Sequence, residues 1–345
     1  MTYLINLSQY FIRSGYETLL IGTGENYSGN ASFSYFKSIY SKSEIGNFIF
    51  FLRLFVTKAI EDAGKEDIIH VQRPEMVIPL RLRTRNRIVC TLHGGQDKAV
   101  FSKKGMLAGV FYSILLFLSF LVGNEFIVVD ELNYRRYLKM YPWLKKKMRI
   151  IPISIETDKF GGTGKPMARE KFGISSYSKV ALFVGRLEYE KNVEFILECF
   201  SELKEDQNYQ LFIVGSGTRE KELKGMASPL GDRIVFMGEL KNDELPELYT
   251  CADVLILTSF FEGSPTVVKE ALCSGVPVLS TDVGDVRMVL DSIDGGVIIE
   301  RDCRSFLNGL KKIEDLPPID IEKAKRIFNV DQMGKKTQEV YFKVL

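Results

Sequence analysis

The chain has 345 residues, of which 46% are apolar and 26% charged, with 46 lysines and arginines against 44 aspartates and glutamates. This is the composition of an ordinary globular protein, and it excludes a collagen, a disordered tail and a disulfide-rich scaffold. Because domains cluster at roughly 100–150 residues, the length predicts two domains.

The charge is divided unevenly between the two halves of the chain. Residues 1–150 contain 21 basic and 12 acidic side chains, a net charge of +9, and the remainder carries −7. A basic first half indicates an anionic partner, such as a phosphorylated substrate or an anionic lipid, or else a solvated basic face. The first half has no dense basic tract with interleaved aromatic residues, so we expect no nucleic-acid partner.

Cysteine and histidine usage bears on metals and on the compartment. The two histidines and the cysteine spacing give no zinc pattern, so we expect neither a metal nor another cofactor. Scattered, unpaired cysteines in apolar runs are typical of a reducing compartment, and the first residues lack a signal-peptide pattern, so we expect a cytoplasmic protein. The cysteines are Cys90, Cys199, Cys251, Cys273 and Cys303.

The first half reads as helices alternating with short apolar strands, which predicts a parallel α/β sheet. It opens on a helix at residues 3–13, whereas doubly wound folds open on a strand, so the first strand of this domain is expected to be missing. The further predicted elements are a strand at 18–21, a helix near 47–62, and strands at 68–71, 88–92, 126–129 and 149–153.

The second half repeats this pattern after a glycine-rich linker at residues 153–165. We therefore predict two Rossmann-like domains facing each other across a cleft, at residues 1–155 and 156–325. A closing helix at 326–345 is expected to pack back on the N-terminal domain. The predicted elements of the second half are strands at 180–184, 211–214, 234–236, 254–257, 278–280 and 297–299, with a helix at 193–203.

Residues 105–124 form an uncharged stretch, GMLAGVFYSILLFLSFLVGN. Its length reaches the threshold of about 18 residues for a transmembrane helix. Glycines and serines interrupt it, however, and it leads directly into a strand that the sheet needs. A spanning helix, a buried helix and a helix resting in a membrane surface all remain open at this stage.

The segment FEGSPTVVKEAL at residues 261–272 follows an apolar strand and opens a helix. Ser264 and Pro265 suit the cap and the first helical position. The backbone N–H groups at the helix start, between Gly263 and Val267, favour an anion, while Glu262 and Glu270 can hold hydroxyls on either side. This arrangement suits a nucleotide sugar; the alternative is a capped helix with two solvated glutamates.

The segment FVGRLEYEKN at residues 183–192 is a second strand end that carries a glycine. Gly185 permits close approach of the backbone, and Arg186 and Lys191 can bind phosphate oxygens. Ligands of open parallel sheets bind beyond the carboxyl ends of the strands, where both segments lie. The alternative is that the two cations pair with Glu188 and Glu190 on the surface.

Five segments occur in order across residues 185–285: GRLEYEKN, IVGSG, IVFMGEL, CADVLILTS and EGSPTVVKEALCSGVPVLSTDVGD. Together they resemble the donor domain of the retaining, nucleotide-sugar-dependent glycosyltransferases of family 4, also called glycosyl transferases group 1, which have the GT-B fold. The segments DIIHVQRPE, RIVCTLHGGQ, FIVVD and RIIPISIETDKF resemble the acceptor domain of that family.

The resemblance implies a role for each site residue. Glu262 lies against the donor sugar, Glu270 against the ribose, and Arg186 and Lys191 bind the diphosphate without a metal. Thr266 lies among the amides that hold the phosphates. The resemblance also brings in His93, in TLHGGQ, as a contact to the donor sugar or a residue that orients the acceptor. Recognition of the base is expected from the backbone near Glu239 and Leu240.

The resemblance thus implies transfer of a hexosyl or N-acetylhexosaminyl group to an acceptor hydroxyl with retention, in glycan, polysaccharide or glycolipid synthesis. The acceptor is expected to be a glycan or a lipid-linked sugar, and the basic first half suggests peripheral contact with the inner face of an anionic membrane. Two alternatives remain open: a sugar-nucleotide 2-epimerase on the same fold, and a catalytically weak sugar-nucleotide or glycan-binding subunit. His70 is expected to be structural.

Overall fold

The computed structural model describes residues 2–22, 35–38, 54, 63–94, 105–162, 164–203, 208–240 and 243–345. The helix predicted near residues 47–62 lies, apart from Leu54, outside these residues. The chain divides into two compact units. The first comprises residues 1–153 and 330–345, and the second comprises residues 154–329.

The first unit contains a parallel four-stranded sheet in the order β3-β4-β5-β6. A separate parallel pair, β1 and β2, precedes it, so the strand predicted at 18–21 joins this pair and not the main sheet. The strands are β1 (Leu19–Gly22), β2 (Tyr35–Ser38), β3 (Ile68–Val71), β4 (Arg87–Leu92), β5 (Glu125–Val128) and β6 (Met148–Ile150). Its described helices are α1 (Thr2–Arg13), α2 (Val77–Arg83), α3 (Met106–Val122), α4 (Glu131–Met140) and α13 (Val330–Val344).

Side chains of the central strands β4 and β5 alternate between the two faces of this sheet, and both faces are covered by apolar residues. On one face Cys90 and Phe126 pack in a core with Phe120 of α3, whereas on the other Val89 and Ile127 pack with residues of α1 and α13. Strand side chains point alternately to opposite faces, so a fully apolar strand needs a helical layer on each side.

The two terminal helices of the described chain contact one another in the first unit. Phe11 of α1 stacks on Tyr341 of α13 with ring centroids 5.0 Å apart. A Cβ at Gly334 of α13 would lie 2.2 Å from the Tyr10 ring, so only glycine permits this close approach.

The second unit contains a parallel six-stranded sheet in the order β12-β11-β10-β7-β8-β9. Helices cover both faces, giving two buried clusters of apolar side chains. The strands are β7 (Lys179–Val184), β8 (Tyr209–Val214), β9 (Ile234–Gly238), β10 (Val254–Leu257), β11 (Val278–Thr281) and β12 (Gly296–Ile299). The helices described here are α5 (Lys165–Lys171), α6 (Val193–Ser201), α7 (Glu220–Ala227), α8 (Leu245–Cys251), α9 (Thr266–Cys273), α10 (Val286–Asp291), α11 (Cys303–Glu314) and α12 (Ile321–Phe328).

The cysteines differ from the prediction, because not all of them are unpaired. Cys199 of α6 and Cys303 of α11 form a disulfide, with their Cα atoms 4.9 Å apart. The prediction failed because these residues are separated by 104 positions and meet only when α6 and α11 pack together. Cys90, Cys251 and Cys273 are free and buried.

The uncharged stretch forms α3, a helix of 17 residues with one buried and one exposed face. Leu116 and Phe120 face the core of the first unit. The opposite face exposes Leu107, Phe111 and Leu118, among others. None of the helices that the structure describes, α3 included, is long and apolar enough to cross a membrane.

Candidate functional site

The candidate site lies at the carboxyl edge of the second unit's sheet. Strands β10, β7 and β8 are neighbours there, and each runs into a turn that carries predicted site residues. Backbone hydrogen bonds continue past the strands: the amide of Gly185 donates to Val214 O at 3.0 Å, and the amide of Leu187 donates to Ser216 O at 2.8 Å. The turns after β7 and β8 therefore lie side by side.

Glycine is required where these two turns touch. Gly215 has a φ of +130°, and a Cβ on it would lie 1.9 Å from the carbonyl oxygen of Gly185. A Cβ on Gly217 would lie 2.3 Å from Leu187 O. The IVGSG segment thus keeps glycine so that the two backbones can approach each other.

Lys191 and Glu262 meet at the centre of this edge. The Lys191 ammonium donates to Glu262 Oε1 at 2.6 Å, and the Ser259 hydroxyl donates to the same oxygen at 2.7 Å. Both charged side chains are largely buried, at 18% and 13% exposure. The structure therefore brings together a cation from one predicted segment and a carboxylate from the other.

The turn that contains Lys191 is fastened to the turn after β10. Asn192 adopts a left-handed conformation with φ of +52°, where asparagine is better tolerated than most residues. The Thr258 hydroxyl donates to Asn192 O at 3.0 Å, and the amide of Phe260 donates to Glu190 O at 2.8 Å. Tyr189 stacks on Phe260 with ring centroids 5.1 Å apart.

Arg186 behaves differently from Lys191. Its guanidinium is 69% exposed and donates to Glu190 at 3.0 Å, which is the surface pairing that we considered as an alternative. Lys191 does not follow that alternative, because its partner is Glu262. Glu188 instead accepts hydrogen bonds from the amide and hydroxyl of Thr218.

Glu270 lies one turn into α9, in a partly buried position. The Tyr249 hydroxyl donates to Glu270 Oε2 at 2.7 Å. Burial raises the pKa of the Glu270 carboxyl, while hydrogen bonds from Tyr249 and Thr266 act in the opposite direction. Glu270 is thus held on the same helix face as Thr266, four residues earlier.

The start of α9 departs from the prediction by one position. The helix begins at Thr266 with Pro265 as its N-cap, and no side chain caps it. The Ser264 hydroxyl does not cap the helix because it donates to Asp285 Oδ2 at 2.5 Å. The first amides of α9, including those of Thr266 and Val267, have no intrahelical acceptor, as in any helix.

Glu239 and Leu240 follow β9 at the same edge of the sheet. Glu239 is exposed, and its carboxylate accepts a hydrogen bond from Ser216, in the turn after β8. Leu240 is half-buried against the core. These two residues thus continue the row of strand-end turns that begins at β10.

His93 directly follows β4 in the first unit. Its Nε2 lies 2.7 Å from Gln72 Oε1, and its ring meets Tyr3 edge to face with centroids 4.9 Å apart. Burial lowers the pKa of His93 to about 4, so the imidazole is neutral at pH 7. The bond to an amide oxygen makes Nε2 the protonated nitrogen, which leaves Nδ1 as an acceptor.

His70 has a structural environment. Its Nδ1 lies 2.6 Å from the Tyr341 hydroxyl and its Nε2 lies 2.7 Å from Thr91 Oγ1. Burial lowers the pKa of His70 to about 3. Both ring nitrogens are thus used to join β3 and β4 to α13.

Sequence reasoning missed two buried charged residues beside the site. Lys269 of α9 and Asp285, which precedes α10, form an ion pair with Nζ and Oδ2 2.9 Å apart, and each side chain is 1% exposed. Both residues stand within the quoted EGSPTVVKEALCSGVPVLSTDVGD segment. A signal was available, since Lys269 occupies the apolar side of a helical pattern, between Val268 and Ala271.

The second unit is similar to a known protein family. Residues 165–329 match the family described as "Glycosyl transferases group 1". "Uncharacterized glycosyltransferase MJ1607" of Methanocaldococcus jannaschii is 34% identical over 131 residues, 37% of this chain and 34% of that protein. The "Alpha-monoglucosyldiacylglycerol synthase" of Streptococcus pneumoniae is 27% identical over 303 residues, 83% of this chain and 68% of that protein.

A solved structure agrees with the fold. Sucrose-phosphate synthase from Thermosynechococcus elongatus superposes with a TM-score of 0.81 at 18% identity, covering 99% of this chain and 92% of that one. The chain spans from about a third to about two thirds of the length of the two relatives named above. The resemblance seen in the sequence is confirmed to this extent: the fold is GT-B, and residues 165–329 match the glycosyl transferases group 1 family.

Proposed function

We propose that this chain transfers a sugar from a nucleotide diphosphate sugar to an acceptor hydroxyl with retention, in the synthesis of a glycolipid or a polysaccharide. The observation that carries the proposal is the contact between Lys191 and Glu262 at 2.6 Å. A cation suited to phosphate and a carboxylate suited to hydroxyls thus lie together at one sheet edge, next to the first amides of α9, which supports the proposal.

Each part of a nucleotide sugar has a counterpart at this edge. Arg186, Lys191 and the backbone N–H groups present between Gly263 and Val267 bind the diphosphate, and Glu262 binds sugar hydroxyls. Glu270 binds the ribose, and the backbone at Glu239 and Leu240 binds the base. Arg186 can move toward a phosphate, since its ion pair with Glu190 lies at the surface and is worth about 0–1 kcal/mol.

In this proposal the cations stabilise the transition state. As the bond between the anomeric carbon and the phosphate oxygen breaks, the diphosphate gains charge, which Lys191 and Arg186 offset. The acceptor oxygen forms its bond to the anomeric carbon on the same face, and its proton passes to the departing phosphate oxygen. His93, neutral at pH 7, contacts the donor sugar or orients the acceptor.

The test is a donor screen followed by product analysis. Purified protein is incubated with UDP-, GDP- and ADP-sugars, with and without lipid-linked and free glycan acceptors. The proposal requires release of nucleoside diphosphate that depends on an acceptor, with an α-linked product from an α-linked donor. Consumption of donor without acceptor, giving an isomer, would instead establish an epimerase; binding without turnover would establish a binding subunit.

We further propose that the first unit docks on the anionic surface of a membrane and takes a lipid-linked acceptor there. The exposed face of α3 carries apolar side chains at helical spacing, and we call it the α3 apolar face. It consists of Met106, Leu107, Val110, Phe111, Ile114, Phe117, Leu118 and Leu121. A helix of 17 residues is about 25 Å long, which suits a position in the plane of the interface.

Neighbouring residues favour a bilayer as the occupant of this face. Phe117 contacts the Tyr141 ring, with centroids 5.7 Å apart, and Tyr141 in turn contacts the exposed Trp143 at 6.5 Å. Tyrosine and tryptophan are enriched at membrane interfaces. Lys145 and Lys146 follow within three residues and are exposed, so the apolar face is flanked by positive charge that complements anionic lipid.

A further inference from the structure

Lys269 is a lysine in an unusual place. Its side chain is 1% exposed, and its ammonium lies 2.9 Å from Asp285 Oδ2. Lysine is almost never fully buried unless it is paired, and burying both charges costs much of what their attraction returns. A contribution to stability alone is therefore a weak explanation for this pair.

Ser264 connects the ion pair to the turn before α9. Its hydroxyl oxygen accepts from the Lys269 ammonium at 2.5 Å and donates to Asp285 Oδ2 at 2.5 Å. Ser264 lies two residues after Glu262 and two residues before Thr266, where the helix begins. The three side chains thus form a closed triangle beneath the segment to which we assigned the diphosphate.

Further hydrogen bonds join the turn after β10 to the turn after β11. The amide of Asp285 donates to Gly263 O at 3.0 Å, and the Thr281 hydroxyl donates to Ser259 O at 3.1 Å. Gly284 has a φ of +56°, and a Cβ there would lie 2.1 Å from Gly263 O. The turn after β11 is therefore pressed against the turn after β10.

We propose that Lys269 and Asp285 are positioning residues, which act through Ser264 to hold the backbone N–H groups of Ser264, Thr266 and Val267 in the conformation that receives the diphosphate. The inference rests on the proposed function. Donors fixed in advance stabilise developing charge without reorganising when the bond breaks, whereas a loose turn would have to be ordered by the ligand. Neither residue touches the ligand in this proposal.

The experiment compares diphosphate with monophosphate binding. Ser264→Ala removes the linking hydroxyl and leaves the ion pair, and the double variant Lys269→Met/Asp285→Leu removes both charges at similar volume, which avoids an unpaired buried charge. Calorimetry measures the affinities of UDP, GDP and ADP and of the three corresponding monophosphates. We expect the preference for the diphosphate to fall about tenfold in both variants, with the monophosphate affinity changed less than threefold.

A matched control is available at the opposite edge of the same sheet. Arg169, buried at 8% exposure, pairs with Asp253 at 2.7 Å just before β10 begins. Arg169→Met should lower the melting temperature and leave the diphosphate preference unchanged. This control separates a general loss of stability from a change in the turn.

The outcomes distinguish this inference from the proposed function. Folded variants that keep the wild-type preference, or that lose both nucleotides equally, would overturn the positioning role while leaving the glycosyltransferase proposal intact. A wild-type protein that binds none of the three diphosphates would refute the proposed function, and the inference with it.

Discussion

Lys191 and Glu262 are 71 residues apart in the chain, and their side chains meet at 2.6 Å because β7 and β10 are neighbours in the sheet. This pair keeps each charge compensated in a largely buried place. When a nucleotide sugar brings phosphates to Lys191 and hydroxyls to Glu262, these groups can take over the contacts of the ion pair, so that neither buried charge is left without a partner.

Lys191→Ala should slow transfer far more than it weakens donor binding. The charge on the diphosphate grows as its bond to the sugar breaks, so the lost cation matters most in the transition state. Loss of one such electrostatic partner typically costs about 10²–10³-fold in kcat. Steady-state kinetics at saturating donor measures the effect.

The control for Lys191→Ala is Lys179→Ala. Lys179 is a paired lysine at the amino end of β7, with its ammonium 2.7 Å from Glu314. Turnover of this variant should match that of the wild type. A Lys191→Ala enzyme with wild-type turnover would remove the residue from the mechanism.

Arg186→Ala tests the exposed cation separately. Because Arg186 forms an exposed ion pair with Glu190 at the surface, its loss should leave the melting temperature within about 1 °C, consistent with the small value of exposed ion pairs. Transfer should nevertheless slow by about tenfold or more, because the guanidinium binds phosphate oxygens. Equal turnover of wild type and variant would show that Arg186 is only a surface cation.

Glu270→Ala should weaken nucleotide binding by about 1.5–3 kcal/mol, the range for a hydrogen bond to a charged group. Tyr249→Phe removes the hydroxyl that donates to Glu270 at 2.7 Å, so it should weaken binding less, by loosening the carboxylate. Calorimetry with UDP, GDP and ADP gives both numbers. Glu247→Ala on the neighbouring helix α8 is the control and should leave nucleotide affinity unchanged. If Glu270→Ala also leaves it unchanged, the assignment of Glu270 to the ribose is wrong.

Most strands of the two main sheets were predictable from sequence to within about two residues, the exception being β6, which ends at Ile150 and not at residue 153. Residues 68–71 and 254–257 coincide with β3 and β10, because buried parallel strands are short apolar runs bounded by turn residues. The predicted site segments also share one sheet edge, as the carboxyl ends of parallel strands must. The strand β2 was missed, since its four residues, YFKS, carry no clear alternation.

What the sequence could not give are pairings that depend on the fold. Lys269 lies on the apolar side of the α9 pattern, but only the packing of α9 beside the turn after β11 shows that it pairs with Asp285 and that both side chains are buried. The Cys199–Cys303 disulfide depends in the same way on α6 lying against α11. The Ser264 hydroxyl was expected to cap α9, but it donates a hydrogen bond to Asp285 instead.

Stability should fall as the pH is lowered from about 6.5 toward 4. Burial lowers the pKa of His93 to about 4 and of His70 to about 3, below the ordinary value of 6.5 in an unfolded chain. Between these values the unfolded chain binds protons that the folded chain does not, so each histidine removes about 1.4 kcal/mol of stability per pH unit. Above pH 7 both histidines are neutral in either state and the effect is absent.

Urea unfolding at pH 7, 5.5 and 4.5 isolates the contribution of His70. His70→Asn destabilises the protein at pH 7, because the bonds to Tyr341 and Thr91 are lost. Since the variant no longer titrates at this position, the difference from wild type should shrink by about 1.4 kcal/mol per pH unit below 6.5. A difference that stays constant with pH would contradict the lowered pKa.

The α3 apolar face should bind anionic vesicles. Apolar insertion contributes a part that resists salt, whereas attraction of cations such as Lys145 and Lys146 contributes about 1 kcal/mol each and fades as the screening length shortens to about 3 Å at 1 M salt. Cosedimentation with phosphatidylcholine vesicles, with and without phosphatidylglycerol, across a salt series separates the two parts. Phe111→Ser/Leu118→Ser should weaken binding at least tenfold at every salt concentration, since burying each side chain is worth about 1.5–3 kcal/mol.

Two further variants distinguish vesicle binding by the α3 apolar face from non-specific adsorption of the protein. Tyr177→Ser/Met167→Ser removes two exposed apolar residues of the second unit, at 88% and 69% exposure, and should leave vesicle binding unchanged. Lys145→Glu/Lys146→Glu should abolish the preference for anionic vesicles while keeping the salt-resistant part. Because a second copy of the chain could also cover an apolar face, sedimentation equilibrium accompanies the vesicle assay. One outcome would contradict the membrane proposal: the wild type forms a dimer that Phe111→Ser/Leu118→Ser dissociates, and it does not bind vesicles at low salt. The α3 apolar face would then be a protein interface.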